Sequence, residues 1–310
     1  MSDAALNHAL TTQRRIILGV GIATLDLINE VDAYPAEDAE IRALSHRRAR
    51  GGNVTNSLSL LAQFGHRCRW AGTLADDPAS ASILDDLARH GIDTSHAVRI
   101  PNAVTPTSCI ALSRATGSRT IVHYRDLPEL DATAFASIPL DGIDWVHFEG
   151  RNPTETRRMI ARVLAERPDA GLSLELEKPR PGMADLLHGP RVLLASRAYA
   201  RAAGFTDPVA FLDDLMPRTS ATLCVVAWGA EGACYLARGG MSQLVAASPP
   251  ERIVDTLGAG DCFNAGVIDG LLRGLPPGDA VECAVRLAGY KCGRYGFAGL
   301  IEEVARSSET

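Results

Sequence analysis

Val254-Asp255-Thr256-Leu257-Gly258-Ala259-Gly260-Asp261 is followed at once by a helical pattern in which Phe263, Val267 and Leu271 recur on one face, with Ile268 and Leu272 beside it. Small residues before a helix let backbone N–H groups turn inward, and these unpaired groups, with the helix dipole behind them, attract anions. A carboxylate at the start of a helix is ordinarily an N-cap. It is also where a general base must stand if a phosphoryl group is transferred there. The carboxylate then takes the proton of the attacking hydroxyl while the amides stabilise charge on the phosphate oxygens. The length of the run and its strand–turn–helix setting favour the second reading, with Asp261 as base and the backbone of Gly258, Ala259 and Gly260 as anion hole.

Working outward, strand signals at Asp144–Phe148, Leu172–Leu176, Val192–Ala195 and Leu223–Ala227 alternate with helical stretches such as Arg157–Glu166 and Pro208–Met216. That alternation predicts a parallel sheet with helices on both faces. A hairpin-like stretch over 232–244 precedes two closing helices, Cys262–Arg273 and Asp279–Tyr295. Toward the N-terminus a short apolar strand, Ile16–Gly21, leads into a more alternating one, Asp26–Asp32, and helices are predicted from Asn53 to Gly65 and from Ser82 to Gly91. Ser108–Leu112 and Arg119–Val122 flank a Thr116-Gly117-Ser118 turn and read as a hairpin. The predicted organisation is an α/β core over 14–24, 51–104 and 125–304, with a small β-sheet lid built from 25–50 and 105–124. Tails 1–13 and 305–310 are expected to be disordered.

The 310 residues are 46% hydrophobic and 22% charged, which suits one well-buried α/β fold. A formal charge of −6, with no basic stripe, leaves no footprint for nucleic acid or an anionic membrane. Seven cysteines without a C-x-x-C pair argue against a disulfide framework or zinc site and for a reducing, cytoplasmic setting. The first dozen residues lack the apolar core of a secretion signal, and no apolar run reaches the roughly 20 residues that span a bilayer.

A second glycine-rich start, Arg50-Gly51-Gly52-Asn53-Val54-Thr55-Asn56, lies roughly two hundred positions before the first. Two glycines admit a ligand close to the backbone, and Asn53 and Asn56, three apart at a helix start, turn both amides to one side where they can grip hydroxyls. Asn53 as a plain N-cap is the alternative. In their order and spacing the two segments resemble the paired signatures of the ribokinase-like (PfkB) sugar kinases, in which D-T-x-G-A-G-D carries the catalytic Asp and anion hole. The resemblance runs nearly the full length and is closest to the ketohexokinase branch. It is carried there by Glu149-Gly150-Arg151-Asn152, Glu175-Leu176-Glu177-Lys178-Pro179-Arg180 and Ala288-Gly289-Tyr290-Lys291-Cys292-Gly293.

That resemblance implies a ribokinase-like fold and an ATP- and Mg²⁺-dependent kinase that phosphorylates a ketohexose such as fructose at C1, with a monovalent cation such as K⁺ as a further candidate. It implies that Asp26, Gly52, Asn53 and Asn56 bind the sugar, with Arg151 and Lys178 beside it. Asp38 would reach a neighbouring subunit's sugar in a homodimer formed through the lid. Arg119 would join Lys178 on the phosphate side, and adenine would lie near Gly229, Gly232, Pro249, Ala288 and Cys292. Taken singly, Arg119 and Lys178 are more often surface charges, Gly229 and Gly232 a turn, Cys292 core packing, and Asp26 a solvated residue on an outer strand face.

Ser196-Arg197-Ala198-Tyr199 stands where many family members carry N-x-x-E, which leaves the Mg²⁺ contacts unassigned. Three other readings stay open: a kinase for another small sugar or a nucleoside, a non-catalytic sugar or nucleotide sensor, and a dinucleotide-dependent oxidoreductase. The last is prompted by Gly19-Val20-Gly21 after a strand, although Thr24 stands where a third glycine is required.

Overall fold

A computed structural model describes residues 14–307. Within these residues β1 (Ile16–Val20) leads through β2 (Thr24–Val31) and β3 (Ser45–Gly51) into helix α1 (Asn53–Gln63). Next come β4 (Arg67–Ala71), β5 (Thr73–Ala75), α2 (Pro78–Arg89), β6 (Val98–Ile100) and the hairpin of β7 (Thr107–Ser113) with β8 (Arg119–Tyr124). The second half alternates: α3 (Ala132–Phe135), β9 (Trp145–Glu149), α4 (Pro153–Glu166), β10 (Gly171–Leu176), β11 (Val192–Ser196), α5 (Arg197–Ala202), α6 (Pro208–Leu215) and β12 (Leu223–Ala227). It closes with β13 (Ala233–Ala237), β14 (Gln243–Val245), α7 (Ala259–Leu272), α8 (Pro277–Cys292) and α9 (Leu300–Ser307).

Eight strands form the central sheet in the order β14-β13-β12-β11-β10-β9-β1-β4. The six from β12 to β4 pair in parallel, and the β13–β14 hairpin adds an antiparallel edge. Successive residues of each inner strand serve opposite sides: Leu193 and Ala195 pack with α4 and α6, whereas Val192 and Leu194 pack with α1, α7 and α8. Burial on both faces is why these strands read as continuous apolar runs. Helix α7 is buried almost all round, and it approaches α8 closely because Gly266 and Gly270 carry no side chain. A Cβ on either would stand 2.8 or 2.7 Å from Ala284 or Ala280.

A separate four-stranded sheet, β3-β2-β7-β8, lies across one end of the core. Its two outer pairings are antiparallel, but β2 and β7, from different excursions of the chain, pair in parallel. Ile28, Ile110 and Leu112 make its small apolar cluster, against which Leu257 of the glycine-rich turn packs.

Three features depart from the expectations. The short β4 and the two-stranded β5–β6 sheet carry no strong alternation and were not signalled. Residues 305–307, expected within a disordered tail, continue α9, whose Leu300, Ile301 and Val304 are buried against the core; the remaining tail residues, 1–13 and 308–310, lie outside the described residues. Finally, Gly19-Val20-Gly21 opens no helix but passes through Ile22 into β2, so the strand–turn–helix that a dinucleotide fingerprint requires is not formed.

Candidate active site

The lid and the carboxyl ends of β9, β10 and β11 enclose a cleft of about 740 Å³. Open parallel sheets bind ligands at this edge because successive loops and helix N-termini converge there. Both glycine-rich segments open onto it: Gly52, Asn53 and Asn56 from the start of α1, and Gly258, Gly260 and Asp261 from the start of α7.

Gly258 precedes α7 in a left-handed conformation (φ 78°), and a Cβ there would stand 2.2 Å from the Phe297 ring, so no other residue fits. No side chain caps the helix. A Cβ built on Gly260 meets nothing within 4 Å, so its backbone faces open cleft. Ala259 N–H is partly committed to the Thr256 carbonyl at 3.3 Å, and Ala259 does not line the cleft.

Asp261 is 7% exposed. Its carboxylate accepts a hydrogen bond from Asn56 Nδ2 at 2.7 Å, and its carbonyl accepts one from Ser57 Oγ at 3.1 Å. Asn56 is oriented in turn by Arg50, which donates to Asn56 Oδ1 at 2.8 Å and is itself held by Asp86 at 2.7 Å. Burial pushes the Asp261 carboxyl up to about 8; the Asn56 bond opposes this, and the Glu177 and Glu149 carboxylates add to it. A carboxyl poised in this range suits a proton acceptor working near neutral pH.

Glu175, at the end of β10, accepts from Asn53 Nδ2 at 3.1 Å and Asn264 Nδ2 at 3.0 Å, and burial together with Asp261 raises its carboxyl well above the ordinary range. Asp26 is buried rather than standing on a solvated strand face, because the lid folds over the core and turns this part of β2 into the cleft wall. Burial raises its carboxyl, while the Thr24 hydroxyl, donating at 2.9 Å, and that of Ser108 oppose the rise. Ser108 also bonds His123 Nδ1 at 3.1 Å, so Asp26, Ser108 and His123 form a polar strip on the lid's inner side.

The cations divide by what holds them. Arg119 leans on the Thr256 hydroxyl at 3.2 Å, while Lys178 is largely exposed and pairs with Glu177 at 3.0 Å. Arg151 is pinned between Glu149 (2.5 Å) and Glu129 (3.4 Å) at the cleft wall. Asp38 sits on the exposed β2–β3 loop, away from the cleft of its own chain, at a positive φ of 62°. Gly229, Gly232, Pro249, Ala288 and Cys292 also fall outside the cleft lining. Among the described residues no group of three or more His, Cys, Asp or Glu side chains is placed to hold a metal ion, and no helix is long and apolar enough to cross a membrane.

Sequence reasoning assigned no role to Arg50, Glu149, Glu175, Ser108 or His123. Glu149 opens the Glu149-Gly150-Arg151-Asn152 segment, Glu175 opens the segment that runs to Arg180, and Arg50 adjoins Gly51-Gly52, so a signal existed for these three. Ser108 and His123 meet the cleft only through lid topology.

The family model described as pfkB family carbohydrate kinase matches residues 16–303. The ketohexokinase of Mus musculus is 39% identical over 298 residues, covering 93% of this chain and all of that protein. The 2-dehydro-3-deoxygluconokinase of Bacillus subtilis is 27% identical, covering 74% of this chain and 76% of its own. Among solved structures, the ribokinase of Arabidopsis thaliana complexed with ribose and ATP has the same fold: TM-score 0.76 at 17% identity, covering 96% of this chain and 100% of that one.

Proposed function

The chain belongs to the pfkB family of carbohydrate kinases, phosphotransferases that act on a sugar hydroxyl, and on that premise we propose that it moves the γ-phosphate of ATP to the C1 hydroxyl of a ketohexose, fructose first among them. The observation that carries the reading is Asp261: a buried carboxylate in the first turn of an uncapped helix, facing a cleft lined by hydroxyl-binding amides.

In this mechanism Asp26, Asn53 and Asn56 hold the sugar between lid and core. Asp261 accepts the proton of the primary hydroxyl as that oxygen attacks the phosphoryl group in line. The free N–H groups at Gly260 and Asp261, with Arg119, stabilise the charge that develops on the phosphate oxygens. Lys178, exposed beside Glu177, reaches the triphosphate as a point charge. Adenine is proposed to lie beyond Arg119, toward Gly229, Gly232, Pro249, Ala288 and Cys292. With no ready-made protein cage in the described residues, Mg²⁺ fits as an ion carried in by the triphosphate, where it would neutralise phosphate charge.

A homodimer through the lid is part of the same proposal. Its support is strand β8, exposed along its whole length, with Ile121 45%, Val122 70% and Tyr124 58% accessible. Apolar side chains on an unpaired edge strand favour a partner. Asp38, on the loop of the same sheet, would then be carried toward the partner's cleft.

A coupled ATP assay across fructose, tagatose, xylulose, ribose and adenosine tests the acceptor, and NMR of the product tests the position. The expected result is the highest kcat/KM for fructose, with phosphate on C1. Preference for ribose or adenosine would move the reading to another member of the family.

A further inference from the structure

We propose that Lys291 is a built-in monovalent cation for the anion-binding turn: its buried ammonium grips both the carbonyl and the carboxylate of Asp255, and so positions the backbone that faces the transferred phosphoryl group. Lys291 is a positioning residue in this account, and the inference rests on the kinase reading of the cleft.

Lys291 has no exposed surface at all, which is rare for a lysine and costly unless the charge is satisfied. Its Nζ donates to the Asp255 carbonyl at 2.8 Å and lies 3.3 Å from Asp255 Oδ2. The Phe297 ring completes the surroundings, its centroid 5.8 Å from Nζ, and that ring also packs against Gly258 on the far side of the turn. Lys291 lies in the last turn of α8, where the dipole favours a cation, and the neighbouring Cys292 carbonyl accepts from Val254 N and Asp255 N at 2.8 and 3.2 Å.

Asp255 binds the turn from the other side. Its Oδ1 accepts from Leu257 N at 2.8 Å, and its Oδ2 accepts from lid residue Arg47 at 2.9 Å. Two cations therefore share one carboxylate, which leaves a net positive charge directly behind the residues that lead into the anion hole. A compact charge that binds a carbonyl and a carboxylate oxygen, within an otherwise closed shell, is what a bound alkali-metal or ammonium ion would supply. Here the chain supplies it covalently.

The test uses the full-length wild type with Lys291→Met and Lys291→Gln, assayed for ATP-dependent sugar phosphorylation in a buffer of bulky organic cations. NH₄⁺, K⁺ or tetramethylammonium is then added, with thermal melts in each salt. Wild-type turnover should be the same with and without K⁺. Both variants should lose about 10-fold or more in kcat, somewhat less than deletion of a direct oxyanion donor, with little change in the KM for sugar. NH₄⁺ or K⁺ should restore part of the loss and tetramethylammonium none.

Wild-type turnover that rises on adding K⁺ overturns the inference. So does full kcat in the variants, or a loss that no small cation repairs. Variants that stay unfolded in every salt also count against it, because an exchangeable ion should replace the ammonium. Wild type that phosphorylates none of the acceptors removes the kinase reading instead, and the two failures are distinct.

Discussion

The Asn56 carboxamide and the Asp261 carboxylate stand 2.7 Å apart, joining the first turn of α1 to the first turn of α7 across 205 positions of sequence. Arg50, anchored on Asp86, fixes which end of the amide faces the carboxylate. A residue proposed to hold the sugar and the residue proposed to deprotonate it are thus already in register before any ligand arrives. Orientation of this kind lowers the barrier without further reorganisation.

Replacing Asp261 with Asn keeps the shape and removes the base. We expect kcat to fall by at least ~10²-fold, the low end for a positioned base, with the KM for ATP little changed. Steady-state kinetics on the purified variant decides this, and near-normal turnover would falsify the assignment.

The same carboxyl makes stability depend on pH in a definite sense. An ordinary Asp titrates near 3.8, whereas burial holds Asp261 at about 8. Between those values the folded protein retains a proton that the unfolded chain has lost. The group's contribution is therefore full at acid pH and drains away as pH rises toward 8. Glu175, raised by its own burial, acts in the same direction. Relative to wild type, Asp261→Asn should gain about 2 °C or more in Tm between about pH 5 and about pH 9, read by calorimetry. A constant difference across that range would show that the carboxyl titrates normally.

Asn56 is the largest influence holding the Asp261 carboxyl down. Asn56→Ala should therefore shift the ascending limb of kcat/KM for sugar to higher pH, besides weakening sugar binding. A profile that keeps its midpoint while the KM rises would separate the two roles and deny the first.

Gly258→Ala should lower Tm by a few degrees, since a left-handed backbone costs an alanine about 1–2 kcal/mol before any clash. The clash adds to this, because the new Cβ would meet Phe297 at 2.2 Å. Pairing the change with Phe297→Leu should recover the steric part only. Full recovery would mean that the φ of 78° carries no cost.

A charge on the exposed strand should reveal the partner. Val122→Glu is expected to shift the protein from dimer to monomer in analytical ultracentrifugation while its far-ultraviolet circular dichroism stays unchanged, since Val122 is 70% exposed in the single chain. A wild type that is monomeric at every concentration ends that proposal.

The core was legible because its strands are buried on both faces and its helices end at glycines such as Gly65 and Gly91. The two glycine-rich segments were legible because their chemistry is local: spacing alone puts two amides, or an amide hole and a carboxylate, on one side of a helix start. The burial of Asp26 was not. An alternating strand predicts a wet outer face, and only the lid's fold over the core makes that face an inner wall. Ser108 and His123 were invisible for a related reason, since their meeting depends on the β7–β8 register. Lys291 had no role of its own in the Ala288–Gly293 segment, because nothing local announces that it points inward.

The parallel pairing of β2 with β7 has a kinetic consequence. Neither excursion can make the lid alone, since Leu25 pairs with Thr107 across a stretch of chain that includes α1 and α2. Ordering so distant a pair costs loop entropy that local contacts do not repay, so the sheet should join late in folding and exchange its amide hydrogens before the core does. The lid wall of the cleft would then be the last part of the enzyme to exist and the first to be lost under stress. A partly unfolded molecule would keep the core wall of the cleft, Asp261 included, while lacking the wall that carries Asp26, Ser108 and His123.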